Sequence, residues 1–200
     1  MSEELITKET AQSLIKIKGE IRGVCLKTDW EFVLKKKGKE GLEIMEKKLA
    51  ELGCPIKYKD IKATAFYPIG LDVVSVLVIK EMFDFHEKEI EQFGAFVVNF
   101  SLFLKIFMKY FGSISLLAKQ GVNMWREHFT VGDLEISEFS EEKKYIVVRL
   151  KNFQIHPVYC TIFKGYFSKI VQMTINKPTI CQETKCSFRG DQYHEFLVTW

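Results

Sequence analysis

Several side chains near the C-terminus have the types and the spacing that a metal ion needs. Cys186 and His194 lie four residues to either side of Gly190. If the chain turns there in a three-residue hairpin loop, these two residues face each other on paired strands, with Cβ atoms about 4.5–5.5 Å apart. A thiolate and an imidazole at that separation suit zinc, whose bonds to sulfur and nitrogen are about 2.3 Å and about 2.0–2.1 Å long.

Two further residues complete the predicted ligand set. Glu183 precedes Cys186 by three residues, so regular strand alternation would place them on opposite faces. A bulge or the end of the strand is therefore needed to bring both to one metal. Cys160 follows Pro157, which predicts the start of a helix, and the positive end of a helix favours the thiolate. With His194, these residues would form a closed tetrahedral site of the structural kind.

The same residues also have an ordinary interpretation. Most free cysteines are small buried side chains, and His194 could be an exposed hairpin residue. Cys181 is the main rival ligand, because it lies two residues before Glu183 and therefore on the same strand face. Spacing alone leaves these interpretations open.

The pattern over about residues 130–200 resembles the vinyl-four-reductase domain, also called the hydrocarbon-binding domain. In the aromatic-sensing transcription activators of that family, the zinc ligands follow Cys, then Glu-x2-Cys-x7-Cys. Cys160, Glu183 and Cys186 match the first three positions, and His194 stands where the last cysteine would be. The resemblance implies structural zinc and a fold similar to haem nitric-oxide sensors and Golgi transport-particle (TRAPP) subunits.

The resemblance also implies a small hydrophobic or aromatic ligand, enclosed between helices and a sheet. A phenylalanine-rich helix over about residues 95–111 and the helix after it have suitable apolar chemistry. The candidate ligand-binding residues are Phe100, Phe103, Phe107 and Trp125. Packing of these aromatic residues in the protein core is the alternative interpretation.

A second motif bears on haem. The haem-sensor relatives hold porphyrin carboxylates with a Tyr-x-Ser-x-Arg triad. Here the nearest match is Tyr166-Phe-Ser168-Lys-Ile170, which has no arginine. We therefore expect zinc as a structural cofactor and no haem.

The periodicity predicts an α+β fold. Thr28 to Glu31 form a capping box, and the helix after it should be interrupted near residues 37–39 and resume over about 40–52. Apolar patterns predict further helices at about 71–82, 83–93, 95–111, 113–125 and 157–173, and strands at about 130–138, 145–150, 179–187 and 192–199. N-terminal helices should thus pack on a C-terminal antiparallel sheet with one inserted helix.

Size and composition favour a single domain over residues 1–200, with an N-terminal arm over about 1–27. The net charge of +3 is too small to argue for nucleic acid, and five cysteines without a dense framework suggest a reducing compartment. The N-terminus lacks the pattern of a signal peptide. The longest uncharged apolar run, residues 93–104, is shorter than the ~20 residues that span a bilayer. We expect a cytoplasmic protein without a membrane span.

Catalytic signatures are missing from the sequence. It has no Gly-x-Gly-x-x-Gly or Walker-type loop and no Gly-x-Ser-x-Gly elbow. The leading hypothesis is therefore a zinc-stabilised binding module for a small hydrophobic molecule, a sensor or a carrier. The alternatives are an enzyme or subunit acting on a tetrapyrrole vinyl group and a TRAPP-like interaction scaffold. A homodimer is an expectation from the family alone.

Overall fold

The computed structural model describes residues 6–100 and 113–200. The chain forms two compact units, one ending at His86 and the other beginning at Glu87. Helices precede an antiparallel sheet into which one helix is inserted, which confirms the predicted α+β class. The prediction of a single domain stays a prediction.

The first unit is mainly helical. Its elements are α1 (Lys8–Ile15), β1 (Glu20–Arg22), α2 (Gly23–Glu51), a 3-10 turn (Tyr58–Asp60), β2 (Phe66–Pro68) and α3 (Ile69–Phe83). The two short strands pair antiparallel, with Ile21 opposite Tyr67. Strand β2 lies at the end of the segment that connects α2 to α3.

Helix α2 confirms one prediction and corrects another. Gly38 interrupts it with φ 67° and ψ −162°, as the sequence predicts for residues 37–39. The capping box is wrong, because the Thr28 hydroxyl donates to the Val24 carbonyl at 2.8 Å from inside the helix. The helix begins five residues earlier since backbone carbonyls satisfy its first amides: Gly23 donates to Ala65 at 2.7 Å.

Two carboxyl groups are buried where α2 and α3 pack together. Asp29 is 7% exposed and Asp72 is 1% exposed. Burial raises the pKa of Asp29 well above its ordinary value, and the neighbouring Asp72 raises it further. Burial raises the pKa of the neighbouring Cys25 thiol, Asp72 and Asp29 raise it further, and the charge of Arg22 lowers it. The Asp29 carboxyl is therefore protonated at a pH where an exposed aspartate is ionised.

This pair predicts a pH-dependent stability. The pKa of Asp29 is higher in the folded chain than its ordinary value of about 3.9. The contribution of this one carboxyl to stability is therefore fully present below about pH 4 and is lost as pH rises through the folded-state pKa, by up to about 1.4 kcal/mol per pH unit. Asp29→Asn removes one titrating group, so its free energy of unfolding should depend less on pH and exceed that of the unchanged protein at about pH 8.

Urea denaturation at about pH 5 and about pH 8 measures this difference. Glu43→Gln, on the exposed face of α2, is the matched control and should keep the slope of the unchanged protein. Equal pH slopes for Asp29→Asn and the unchanged protein would contradict the prediction.

The second unit places helices beside a four-stranded sheet. Its elements are α4 (Glu87–Phe100), α5 (Ile114–His128), β3 (Asp133–Ser140), β4 (Tyr145–Lys151), α6 (Val158–Ile175), β5 (Ile180–Lys185), a 3-10 turn (Ser187–Arg189) and β6 (His194–Thr199). The strand order is β3-β4-β6-β5, with every neighbouring pair antiparallel. Ser113 caps the N-terminus of α5, since its hydroxyl accepts from the Leu116 amide at 3.2 Å.

Helices α4 and α6 pack closely through glycines. A Cβ at Gly165 would overlap the carbonyl oxygen of Glu91, and a Cβ at Gly94 would overlap the carbonyl oxygen of Ile162. The two helix backbones thus approach each other at both glycines. The predicted break between the helices at 83–93 and 95–111 is wrong, because Gly94 lies inside α4 and forms this close contact. The actual break is at Asp84, which has φ 52°.

No helix in the described ranges 6–100 and 113–200 is long and apolar enough to cross a membrane.

Candidate metal centre

The structure brings the four predicted ligand residues together within the second unit. Cys160 lies in the first turn of α6, Glu183 lies in β5, Cys186 follows β5 and His194 begins β6. One ligand atom from each lies within 4.8 Å of the others. We call these four side chains the C-terminal cluster.

A β-bulge in β5 allows Glu183 and Cys186 to reach one point. Glu183 pairs with Phe196, but Lys185 pairs with Glu195, so the register shifts between them. The extra residue compensates for the odd spacing that regular alternation could not accommodate. The structure thus meets the requirement that the spacing imposed.

The connection between β5 and β6 differs from the predicted loop. Gly190 has a positive φ of 97°, as expected, but the strands end at Lys185 and His194, and a 3-10 turn fills part of the loop. The Asp191 carboxylate accepts from the Cys186 amide at 2.7 Å, and the Asp191 amide donates to the Cys186 carbonyl at 3.2 Å. These bonds hold Cys186 outside the ladder, so the prediction of a three-residue loop is wrong.

Three of the six donor distances in the C-terminal cluster are close to the edges of a tetrahedron around zinc, and all six lie within 4.8 Å. Cys160 Sγ lies 3.8 Å from Cys186 Sγ and 3.7 Å from His194 Nδ1. His194 Nδ1 lies 3.2 Å from Glu183 Oε1. For ordinary zinc bond lengths, the corresponding edges are about 3.8 Å for sulfur–sulfur, about 3.6 Å for sulfur–nitrogen and about 3.4 Å for nitrogen–oxygen.

The imidazole of His194 is oriented by hydrogen bonds to Nε2, the ring nitrogen that faces away from the C-terminal cluster. It is 2% exposed, and its Nε2 lies 2.9 Å from the Phe153 carbonyl oxygen and 2.6 Å from Ser187 Oγ. Since a carbonyl only accepts, Nε2 carries the proton and donates to Phe153. In the structure Nδ1 contacts the Glu183 carboxylate at 3.2 Å. A metal ion in the C-terminal cluster would take the lone pair of Nδ1 in place of that hydrogen bond, which is the arrangement that metal-bound histidines adopt.

The charges in the C-terminal cluster favour a cation. Burial would raise the pKa of Glu183, but hydrogen bonds from His194 and the two thiols, with the charge of Arg189, hold that pKa below its ordinary value. Arg189 lies 3.2 Å from Glu183 Oε2. Burial and the negative Glu183 raise the pKa of the Cys160 thiol. A divalent ion between these groups would instead stabilise the thiolates.

Cys181 is buried in β5 opposite Val198. Burial, together with the charge of Glu91, raises the pKa of its thiol to about 12. It is not among the residues whose ligand atoms meet in the C-terminal cluster, within the part of the chain that the structure describes. The described geometry therefore favours Cys160 over Cys181 as the second sulfur donor.

The proposed ligand-binding residues are only partly described. Residues 103 and 107 and the side chain of Phe100 lie outside the described part of the chain. Trp125 is 6% exposed and stacks on Phe129 with ring centroids 4.1 Å apart. Its indole N–H donates to the carbonyls of Val131 at 3.2 Å and Gly132 at 2.9 Å. In this structure Trp125 packs in an aromatic core, and its contact with a ligand stays a prediction.

Comparisons by sequence find no relatives. No family model matches the chain, and no curated protein matches it. The vinyl-four-reductase assignment therefore has no support beyond the motif.

Solved structures do match the fold. An H-NOX protein from Shewanella oneidensis in the Fe(II)NO ligation state is 12% identical, with a TM-score of 0.68 over 89% of this chain and 98% of that chain. Unliganded Fe(II) H-NOX from K. algicida is 12% identical, with a TM-score of 0.60 over 90% of this chain and 96% of that one. A trafficking protein particle complex subunit 3 from Naegleria fowleri, covalently bound to palmitic acid, is 13% identical, with a TM-score of 0.45 over 64% and 90%.

The comparisons correct the expectation of no haem. A further match, with a TM-score of 0.64 over 90% of this chain and 100% of that chain, is described by its haem redox potential and porphyrin distortion. The expectation depends on the absence of one arginine at position 170. A single missing side chain removes one contact with a porphyrin carboxylate, and this does not exclude haem binding. At these identities the comparisons establish that the chain has the H-NOX fold.

Proposed function

We propose that this chain is a ligand-binding domain whose second unit is stabilised by one zinc ion in the C-terminal cluster. The observation that carries the proposal is the set of donor distances: three of the six are close to the edges of a zinc tetrahedron, and all four donor atoms lie within 4.8 Å of one another. The orientation of His194 by the Phe153 carbonyl supports it independently.

The donor types select the metal. Two thiolates and an imidazole suit zinc and other thiophilic ions, whereas calcium and magnesium take oxygen ligands. Four protein donors close the coordination sphere and leave no position for water or substrate. The zinc is therefore structural, and we assign it no catalytic step.

The metal connects elements that are distant in sequence. It joins the first turn of α6 to the end of β5 and the start of β6. The same helix packs against α4 through Gly165. Zinc thus fixes the position of the last two strands on a helix that is already anchored at its centre.

The ligand that we propose is a small hydrophobic or aromatic molecule, bound by a sensor or a carrier. The support is the fold, which this chain shares with H-NOX structures described in Fe(II)NO and Fe(II)CO ligation states. Phe100, Phe103, Phe107 and Trp125 remain the residues proposed to contact it. A homodimer is part of the same proposal.

Native mass spectrometry of freshly purified protein, beside its denatured mass and its absorption spectrum, tests the proposal. We expect one zinc per chain, an additional non-covalent mass and the mass of a dimer. The absorption spectrum identifies a porphyrin if that mass is haem. Zinc without any bound molecule, in protein from several expression conditions, would overturn the ligand-binding part. Absence of zinc would overturn the metal site.

A further inference from the structure

A groove of about 500 Å³ lies between α5 and β3 in the second unit. Lys119, Val122 and Arg126 line its α5 side, and residues 133–136 with Phe139 line its β3 side. No motif in the sequence indicates this groove, because a helix and the strand after it form it only when they fold back on each other.

The groove follows the free edge of the sheet. Strand β3 is the first in the order β3-β4-β6-β5, and no other strand among the described residues pairs with its outer side. Four consecutive residues of β3 line the groove, whereas side chains on one face would contribute only every second residue. The wall of the groove is therefore the strand edge itself, where main-chain N–H and C=O groups are available to another strand.

The unpaired cations of the groove lie on its α5 side, whereas Asp133 at the start of β3 keeps its negative charge, because its partner Asn152 is a neutral amide. Glu135 on the β3 side lies 2.8 Å from Lys151 Nζ and 3.9 Å from an Arg149 nitrogen, so the sheet already neutralises it. Asp133 accepts from Asn152 Nδ2 at 2.7 Å. On the α5 side, Lys119 and Arg126 are exposed and form no ion pair with any residue that the structure describes.

We propose that this groove binds an extended acidic segment of a partner protein, which adds to β3 as a further strand. Lys119 and Arg126 are seven residues apart, or about 10.5 Å along the helix. Acidic residues two and four positions apart in a strand are about 7 Å and about 13 Å apart, which long basic side chains can reach. Val122 and the 40% exposed Phe139 provide apolar contacts for the intervening residues.

A second copy of this chain fits the groove less well. Antiparallel pairing of β3 with itself would bring the acidic residues of the two strands opposite each other; these are Asp133, Glu135 and Glu138. Like charges on directly paired strands are destabilising. Asp133 and Glu135 alternate with Leu134 and Ile136, so in-sheet pairing of β3 with its copy brings the two acidic faces together. A partner segment can instead place apolar residues opposite the acids of β3 and its own acids on the other face, beside Lys119 and Arg126.

Nuclear magnetic resonance titration of the full-length ¹⁵N-labelled protein tests this proposal with a defined probe, the capped peptide Glu-Val-Glu-Val-Glu-Val. We expect saturable shifts of amide signals from β3 and from the Lys119–Arg126 stretch of α5. The double variant Lys119→Glu/Arg126→Glu should weaken binding at least about tenfold, as expected when two charge-assisted contacts are reversed. Lys143→Glu, in the exposed turn after β3, is the matched control and should bind as the unchanged protein does.

Two further peptides separate strand addition from charge attraction alone. An N-methylated version keeps every charge but removes alternate main-chain donors, and it should not bind. The capped peptide Lys-Val-Lys-Val-Lys-Val should bind at least tenfold more weakly than the acidic one. Equal binding of the acidic and basic peptides, binding that tolerates N-methylation, binding unaffected by the double charge reversal, or no binding of the acidic peptide would each overturn the proposal.

Discussion

If the C-terminal cluster holds zinc as proposed, Cys186→Ser should yield protein without bound zinc and with a free energy of unfolding lower by several kcal/mol, because structural zinc sites contribute directly to folding. Cys186 is 4% exposed and lies 3.8 Å from Cys160 Sγ, so its replacement removes one corner of the tetrahedron. Metal analysis and urea denaturation measure the two effects. Cys181→Ser is the matched control, since it changes a buried cysteine outside the C-terminal cluster and should keep the metal.

A chelator separates loss of metal from loss of packing. A buried serine in place of cysteine can cost about 1–3 kcal/mol by itself if its hydroxyl lacks a partner. A strong chelator should destabilise the unchanged protein and Cys181→Ser by several kcal/mol, about as much as metal loss costs, but leave Cys186→Ser unaffected. If Cys186→Ser kept a full zinc content, or if the chelator destabilised it as much as the unchanged protein, the proposed ligand set would be wrong.

Gly165→Ala should lower the free energy of unfolding by about 3 kcal/mol, since overpacking at a close helix contact costs about that much. Its Cβ would overlap the backbone carbonyl of Glu91, which cannot rotate away as a side chain can. Helices α4 and α6 must then separate. Thermal and urea denaturation both report this loss.

Gly121→Ala is the control for this substitution, because Gly121 lies in α5 and its Cβ would meet nothing within 4 Å. Alanine at an open helical position should stabilise by about 0.5–1 kcal/mol, since glycine is the poorer helix former. The two substitutions therefore have opposite expected signs. A Gly165→Ala protein as stable as Gly121→Ala would show that α4 and α6 are not in close contact.

The sequence predicted the members of the C-terminal cluster but not how they meet. Pro157 indicated the start of α6, and Gly190 indicated a turn with positive φ; both features are present. The β-bulge after Glu183 has no local signal, because no glycine marks it and the register depends on the pairing of β5 with β6. Likewise, the bond between Asp191 and Cys186 depends on the folded loop.

In the first unit, the errors of prediction have one physical cause. Thr28 has the composition of a helix cap, but the preceding residues are already helical because their amides bond to carbonyls about forty residues later, as Gly23 does to Ala65. Asp29 looked like part of that cap and is in fact buried beside Asp72 on another helix. Contacts between distant segments decide these features, and a local pattern carries no information about them.

The expectation about haem shows the same limit for a cofactor. The arginine that is absent from the Tyr166–Ile170 stretch would make one contact with a porphyrin, whereas many elements of the fold together form a cofactor pocket. The fold itself follows from the resemblance to haem nitric-oxide sensors, and comparison of structures confirms it at a sequence identity of 12% for the first of them. The spacing of a few ligands is informative when the metal contacts only those residues, but a large cofactor contacts many elements at once.

X-ray absorption at the zinc edge of purified protein tests the central claim most directly. The account predicts one zinc per chain, surrounded by two sulfur atoms at about 2.3 Å and two lighter atoms at about 2.0–2.1 Å. Cys160→Ser should lower the sulfur count, while Cys181→Ser should leave it unchanged. A shell of four sulfur atoms, a shell of nitrogen and oxygen alone, or protein without zinc would contradict the assignment of the C-terminal cluster as the metal site.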